Sequence, residues 1–269
     1  MAGLFGGLFN YDKEGPGVDK NAPKKKGFIV FFEIYFKNFW KLAINSVWYW
    51  LLTALGVTAG LAAAGMTNLT RNMAADTHSF GTSDFFSTIK KNWKQALPAG
   101  IINIIVIGIL LFALQFYLFS TVDSTMQIIG MAVCLFMLGV FLVMRYYIWF
   151  ILITFKLRLK DIYLNSFKLS LIGFKKNIII LLCLIALYAV VFGIDFIGIT
   201  LTRTICVVLL IFVVPGFRFL VIQSCVFSNI KKYMIEPYYK EHPDEDIEMR
   251  RRLGVYEDDK PTYTEADLL

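Results

Sequence analysis

Long apolar runs, almost free of charge, alternate along this chain with short segments that hold most of its Lys and Arg. About 20 helical residues are needed to cross roughly 30 Å of hydrocarbon. Four runs approach or exceed that length: Leu97–Thr121, Met126–Phe155, Ile178–Gly193 and Thr204–Ser228. Backbone groups in lipid must be paired within their own segment, so such runs fold as helices. With 57% of its 269 residues hydrophobic, the chain reads as an all-α, polytopic membrane protein. Too little sequence remains for a sizeable soluble domain. The division expected is a cytoplasmic N-terminal segment over 1–27, a membrane domain over 28–230 and a charged cytoplasmic tail over 231–269. Met1–Gly27 lacks the apolar core and cleavage site of a secretory leader, so the first apolar region is expected to stay in the mature protein.

That first region, Leu42–Leu69, is longer than one span and shorter than two. Leu42–Leu55 is bulky and aromatic, whereas Gly56–Gly65 is almost entirely small residues. Charge decides how it is placed, because loops rich in Lys and Arg stay in the cytoplasm. Basic residues crowd before Leu42, between Arg71 and Ala96, over Lys156–Lys176 and in the tail. The Ser120–Thr125 connection has none, and Ile194–Arg203 has only Arg203. A single crossing by Leu42–Leu69 would leave basic segments outside. A helix with a return segment, broken near Gly56, brings every basic segment inside. The expected fold is five long spans plus a short broken return segment, with amphipathic cytoplasmic elbow helices. The expected location is the cell membrane, multi-pass, with both termini cytoplasmic.

A weak internal repeat fits three hairpins. An acid, two bulky residues and a basic amphipathic stretch begin at Glu33, Asp84 and Asp161. In the second copy Phe85, Ile89 and Trp93 fall on one helical face, with Lys90, Lys91 and Lys94 elsewhere. Such a helix suits the headgroup boundary, apolar face down and Lys toward anionic lipid. The general crowding of aromatics and lysines at interfaces is the alternative reading. The acidic tail has its own signal: Asp244 is placed to cap a helix through Arg252 that ends at Gly254.

Two constellations stand out within the apolar runs. Gly56, Gly60 and Ala64 form a ladder of small residues on one face, where close backbone approach drives helix association in lipid. It faces another helix, in this chain or in a partner. Pro215–Gly216, followed by Arg218, interrupts the last run and frees a backbone carbonyl. This kink either lines a polar cavity or bends a helix whose arginine reaches the inner headgroups. Arg145 is expected to snorkel to the inner interface. Asp123, Asp195 and Arg203 are expected at solvated external ends.

Known catalytic patterns do not appear: no phosphate-binding loop, no nucleophile elbow, no HExxH and no intramembrane carboxylate pair. Cys134, Cys183, Cys206 and Cys225 sit singly in apolar runs, and the two histidines are His78 and His242. A metal site needs clustered ligands. A non-enzymatic protein is expected, with no cofactor or metal. The basic excess reads as contact with membrane lipids rather than nucleic acid, because no compact basic module exists to present it.

Several segments taken together resemble the YesL family of bacterial integral membrane proteins. They are GLFNYDKEGPGV near the start, FWKLAINSVWYWLLTALGVTAG, SDFFSTIKKNWKQA and LKDIYLNSFKLSLIGFKKNIIILL. Members often carry a proline in the second segment that is missing here. The family has no established biochemical function and no catalytic residues to carry over. Its members are commonly encoded with carbohydrate ABC importers. The resemblance therefore implies an accessory or scaffold subunit meeting permease or ATPase subunits. A stand-alone small-solute transporter or channel is the alternative.

Overall fold

The computed structural model describes residues 27–241, apart from 76, 78, 120–123 and 197–199. The N-terminal segment before Gly27, Asp123, the Asp244–Arg252 helix and the side chain of Asp195 lie outside the described residues. All regular structure described is helical: α1 (Gly27–Lys37), α2 (Phe39–Ala54), α3 (Ala59–Ala74), α4 (Thr82–Phe119) and α5 (Ser124–Thr154) come first. They are followed by α6 (Leu159–Ile172), α7 (Phe174–Phe196), α8 (Thr200–Phe212) and α9 (Val214–Ile230). A π-helical turn over Lys231–Ile235 then leads into α10 (Glu236–Glu241).

Three helices are long and apolar enough to cross a membrane: Thr82–Phe119, Ser124–Thr154 and Phe174–Ile194. Thr200–Phe212 and Val214–Tyr239, bent by 46°, make a fourth if the pair is one span. The five long spans expected from hydropathy are thus corrected to three, or four with the bent pair. The segment that fails is the first. α2 and α3 have 16 residues each, about 24 Å at 1.5 Å per residue, short of the roughly 30 Å of hydrocarbon.

The chain does turn between α2 and α3. Gly56 holds φ +69°, a conformation glycine adopts without steric cost. Its N–H donates to the Thr53 carbonyl at 2.9 Å, and the Thr58 hydroxyl donates to the Leu52 carbonyl. From this turn α3 runs back as an internal element, with Ala62, Ala64, Met66 and Leu69 fully buried. Small residues permit that. A Cβ at Gly60 would stand 2.2 Å from the Ala96 carbonyl oxygen and 2.7 Å from Gly100 Cα. At Gly65 it would stand 2.7 Å from the Phe85 ring. The hairpin therefore lies against α4 between Phe85 and Gly100, beside its lysine-bearing first half. From Asn103 to Phe119 the helix continues for about another 24 Å.

The basic segments meet at one end of the molecule, called the basic end here. Lys41 Nζ donates to the Ser79 carbonyl at 2.8 Å, and Gln95 Nε2 to the Leu157 carbonyl at 3.0 Å. Arg71 Nη1 reaches Thr154 Oγ1 at 2.9 Å, and Lys176 Nζ donates to Ser228 Oγ. The core sits here, where α3, the last third of α5 and α9 pack with Phe85, Ile162 and Leu169. Away from it, only 17%, 11% and 22% of the most apolar stretches of α4, α5 and α7 are buried. Protein does not cover those faces, so lipid is the solvent their composition suits. These helices make the chain a membrane protein.

The amphipathic elbows need one correction. α1 and α6 are separate helices, but the segment with Phe85, Ile89 and Trp93 is the first half of the 38-residue α4, continuous through Pro98. Phe85 is fully buried beneath Gly65 and Ile89 packs on the core, while Trp93 and the three lysines face outward. Phe85 and Ile89 of its apolar face are taken up inside the chain, while Trp93 stays exposed beside the lysines.

Candidate functional site

Where the last apolar run breaks, backbone groups lose their partners. Pro215 has no N–H to give the carbonyl one turn back. Helix α2 supplies partners to groups flanking the break. The Gly216 N–H donates to Ser46 Oγ at 3.1 Å, and Trp50 Nε1 donates to the Leu210 carbonyl at 3.0 Å. Ser46 itself donates to Leu42 O at 2.8 Å. A Cβ at Gly216 would lie 2.9 Å from Leu42 Cβ, so glycine lets α2 and α9 touch. Pro215 and Gly216 are buried in this contact, and two residues on Arg218 emerges on another face.

That face opens on a cavity of about 330 Å³. Five helices wall it. Tyr49 and Thr53 come from α2, and the Gly56 turn leads to Gly60 and Ala63 of α3. Gly100, Asn103, Ile104 and Ile107 come from α4, with Arg145, Tyr146 and Trp149 from α5. Arg218, Phe219, Ile222 and Gln223 complete it from α9. Two arginines line this space, and among the described residues no carboxylate does. Arg145 Nε is buried with no acceptor among the described residues, and Thr53 Oγ1, Asn103 Oδ1 and Gln223 Oε1 are buried without a partner.

Elsewhere the fold satisfies such groups. Arg71, 7% exposed, gives hydrogen bonds to Thr154 Oγ1, to Asn68 Oδ1 at 2.7 Å and to Asn72 Oδ1 at 3.3 Å. It also lies 5.8 Å from the Phe150 ring centroid. Tyr147 donates to Asn177 Oδ1 at 2.9 Å and accepts from Asn229 Nδ2 at 3.2 Å, tying α5 to α7 and α9. Gly173 makes room for that hydroxyl, which would lie 2.1 Å from a Cβ there. Below the cavity Asn103 Nδ2 donates to the Ala99 carbonyl at 2.8 Å and to Tyr163 Oη at 3.2 Å. Tyr163 donates back to the Ala99 carbonyl, and burial pushes its phenol up to about 12.

The residues singled out from sequence are divided by this geometry. Arg218 and Arg145 line one cavity; Arg145 faces the interior rather than an interface, because α2, α4 and α9 surround it. Gly56 is no rung of a helix-packing ladder: it forms the turn, and a Cβ there would meet nothing within 4 Å. Gly60 packs on α4 and Ala64 is fully buried, so that face is covered from within the chain. Lys90, Lys91 and Lys94 are not among the residues that line the cavity. Asn103, Gln223, Tyr49 and Thr53 were not singled out. Asn103 and Gln223 carried a signal nonetheless, as amides inside otherwise apolar runs. Among the described residues no group of His, Cys, Asp and Glu could hold a metal ion, and the four cysteines are free thiols.

A family model described as a protein of unknown function, DUF624, matches residues 42–114. The match spans most of α2, all of α3 and most of α4, and so covers three of the five helices that wall the cavity, without the two arginines. No curated protein and no solved structure matches the chain.

Proposed function

We propose that this chain is a non-enzymatic integral membrane subunit that works beside a carbohydrate-importing ABC transporter, in the cell membrane with both termini cytoplasmic. The observation that carries the reading is the α1–α2 flank. Trp40, Ile44, Trp48, Leu51 and Leu55 repeat at helical spacing along α2 and are exposed, on a helix too short to cross alone. A bulky apolar stripe beside the basic end suits lateral contact with another membrane protein. The resemblance to the YesL family names the kind of neighbour. Affinity purification of the tagged chain in mild detergent, from cells expressing the importer, tests it. Permease and ATPase subunits should co-purify, and Trp40→Ala with Ile44→Ala should release them. Recovery of the chain alone would remove the proposal.

The cavity favours a second reading, a stand-alone transporter or channel for a small solute. Arg218 beside the broken helix would line its path. Flux into proteoliposomes compares wild type with Arg218→Ala; unchanged or absent flux ends that reading.

A further inference from the structure

We infer that the cavity between α2, α4, α5 and α9 binds a phosphate ester carrying a small hydroxylated substituent, either as a free solute or as a lipid headgroup. The inference rests on neither functional reading above. Arg145 and Arg218 converge on one space whose lining, among the described residues, holds no carboxylate. Two like charges held together in one partly buried space disfavour each other unless an anion joins them. Arginine's planar fork matches the oxygens of a phosphate in bidentate fashion, and Arg145 Nε is a buried donor still lacking an acceptor.

The remaining polar atoms specify what accompanies the phosphate. Asn103 and Gln223 are 3% and 1% exposed, and each presents an oxygen with no donor. Buried acceptors left unmade are costly, so a ligand bringing hydroxyl hydrogens satisfies what the protein does not. Tyr49, Tyr146 and Phe219 supply apolar wall for a carbon skeleton. A volume of about 330 Å³ is at the small end of ligand sites. Glycerol phosphate has this chemistry, and it occurs both as a soluble ester and in the headgroup of phosphatidylglycerol.

The experiment uses the full chain purified in a neutral detergent, with thermal unfolding and equilibrium binding as readouts. Two probes are titrated: sn-glycerol 3-phosphate, and phosphatidylglycerol supplied in phosphatidylcholine nanodiscs. Saturable stabilisation by the soluble ester assigns a free solute; stabilisation by the lipid alone assigns a headgroup. Either binding should weaken at least about tenfold in Arg145→Gln and in Arg218→Gln, the loss of a charge-assisted hydrogen bond. Both variants should fold without ligand, because each removes one of two cations that share the cavity. The paired substitution Lys90→Gln, Lys91→Gln controls for general attraction to anions and should bind like wild type. Should an arginine variant not fold, wild type decides: one of the two probes must bind, and its counterpart without the anionic group, glycerol or phosphatidylcholine alone, must not. A folded wild type that binds neither probe overturns the inference, as does equal weakening by the lysine pair.

Discussion

Gly60 and Gly108 are both glycines of membrane-directed helices, yet their surroundings are opposite. At Gly60 a side chain would drive into the backbone of α4; at Gly108 it would meet nothing within 4 Å. The same division runs through the whole molecule. At the basic end, α3, the last third of α5 and α9 bury large side chains such as Tyr147, Phe85 and Phe150 completely. At the far end Phe112, Phe119 and Phe136 are each more than 70% exposed. Lipid cannot supply a hydrophobic drive between helices. Specificity in this fold therefore lies where small residues and polar pairs let helices close on one another. The far end needs only composition.

The largest effect that would break this comparison is steric. Gly60→Leu should abolish a folded, monodisperse protein, because backbone rather than a movable side chain opposes it. Gly108→Leu should leave the elution profile in detergent unchanged. Next, Phe85→Ala should destabilise by about 3–5 kcal/mol through the cavity it leaves. Phe112→Ala, on the exposed face, should stay within about 0.5 kcal/mol. Denaturant or thermal unfolding in one detergent compares the two, and equal losses would erase the distinction. Third, Tyr147→Phe should cost about 1–3 kcal/mol by leaving the Asn177 and Asn229 amides unsatisfied.

The smallest effect is a pH dependence confined to the basic end. Burial raises the phenols of Tyr35 and Tyr163 from 10.0 to about 12. The folded state then holds protons that the unfolded state releases. Their contribution is complete below pH 10 and is lost as the pH climbs toward 12. The melting temperature should fall more steeply between pH 10 and 11.5 for wild type than for Tyr163→Phe. Parallel slopes would show that the phenol is not held neutral by the fold.

Much of this architecture was legible in the residues. The apolar runs around α4, α5 and α7 announced those helices, and Gly56 marked the turn between α2 and α3. What hydropathy could not separate is apolar surface facing lipid from apolar surface facing protein. Leu42–Leu69 looked like membrane sequence for that reason, although α3 is interior. Its Gly and Ala content did point to packing, but not to which helix. Continuity through Pro98 was hidden because a proline near a charge boundary reads as a helix start. The cavity was half legible. Arg145 and Arg218 were visible as charges in apolar runs, but their meeting depends on how α5 and α9 cross, which no local pattern encodes.

The stitches from Ser46 and Trp50 to the last broken helix join residues 170 and 160 positions apart. Synthesis runs in one direction, so α2 must wait for nearly the whole membrane domain before it meets the groups it serves. Until then the α2–α3 hairpin lacks the wall that closes it, and the Ser46 oxygen and the Trp50 indole N–H lack the partners that α8 and α9 bring. The bent α8–α9 pair thus acts as a keystone in time as well as in space. A chain halted before Val213 should expose the Gly56 turn to protease, and the complete chain should protect it.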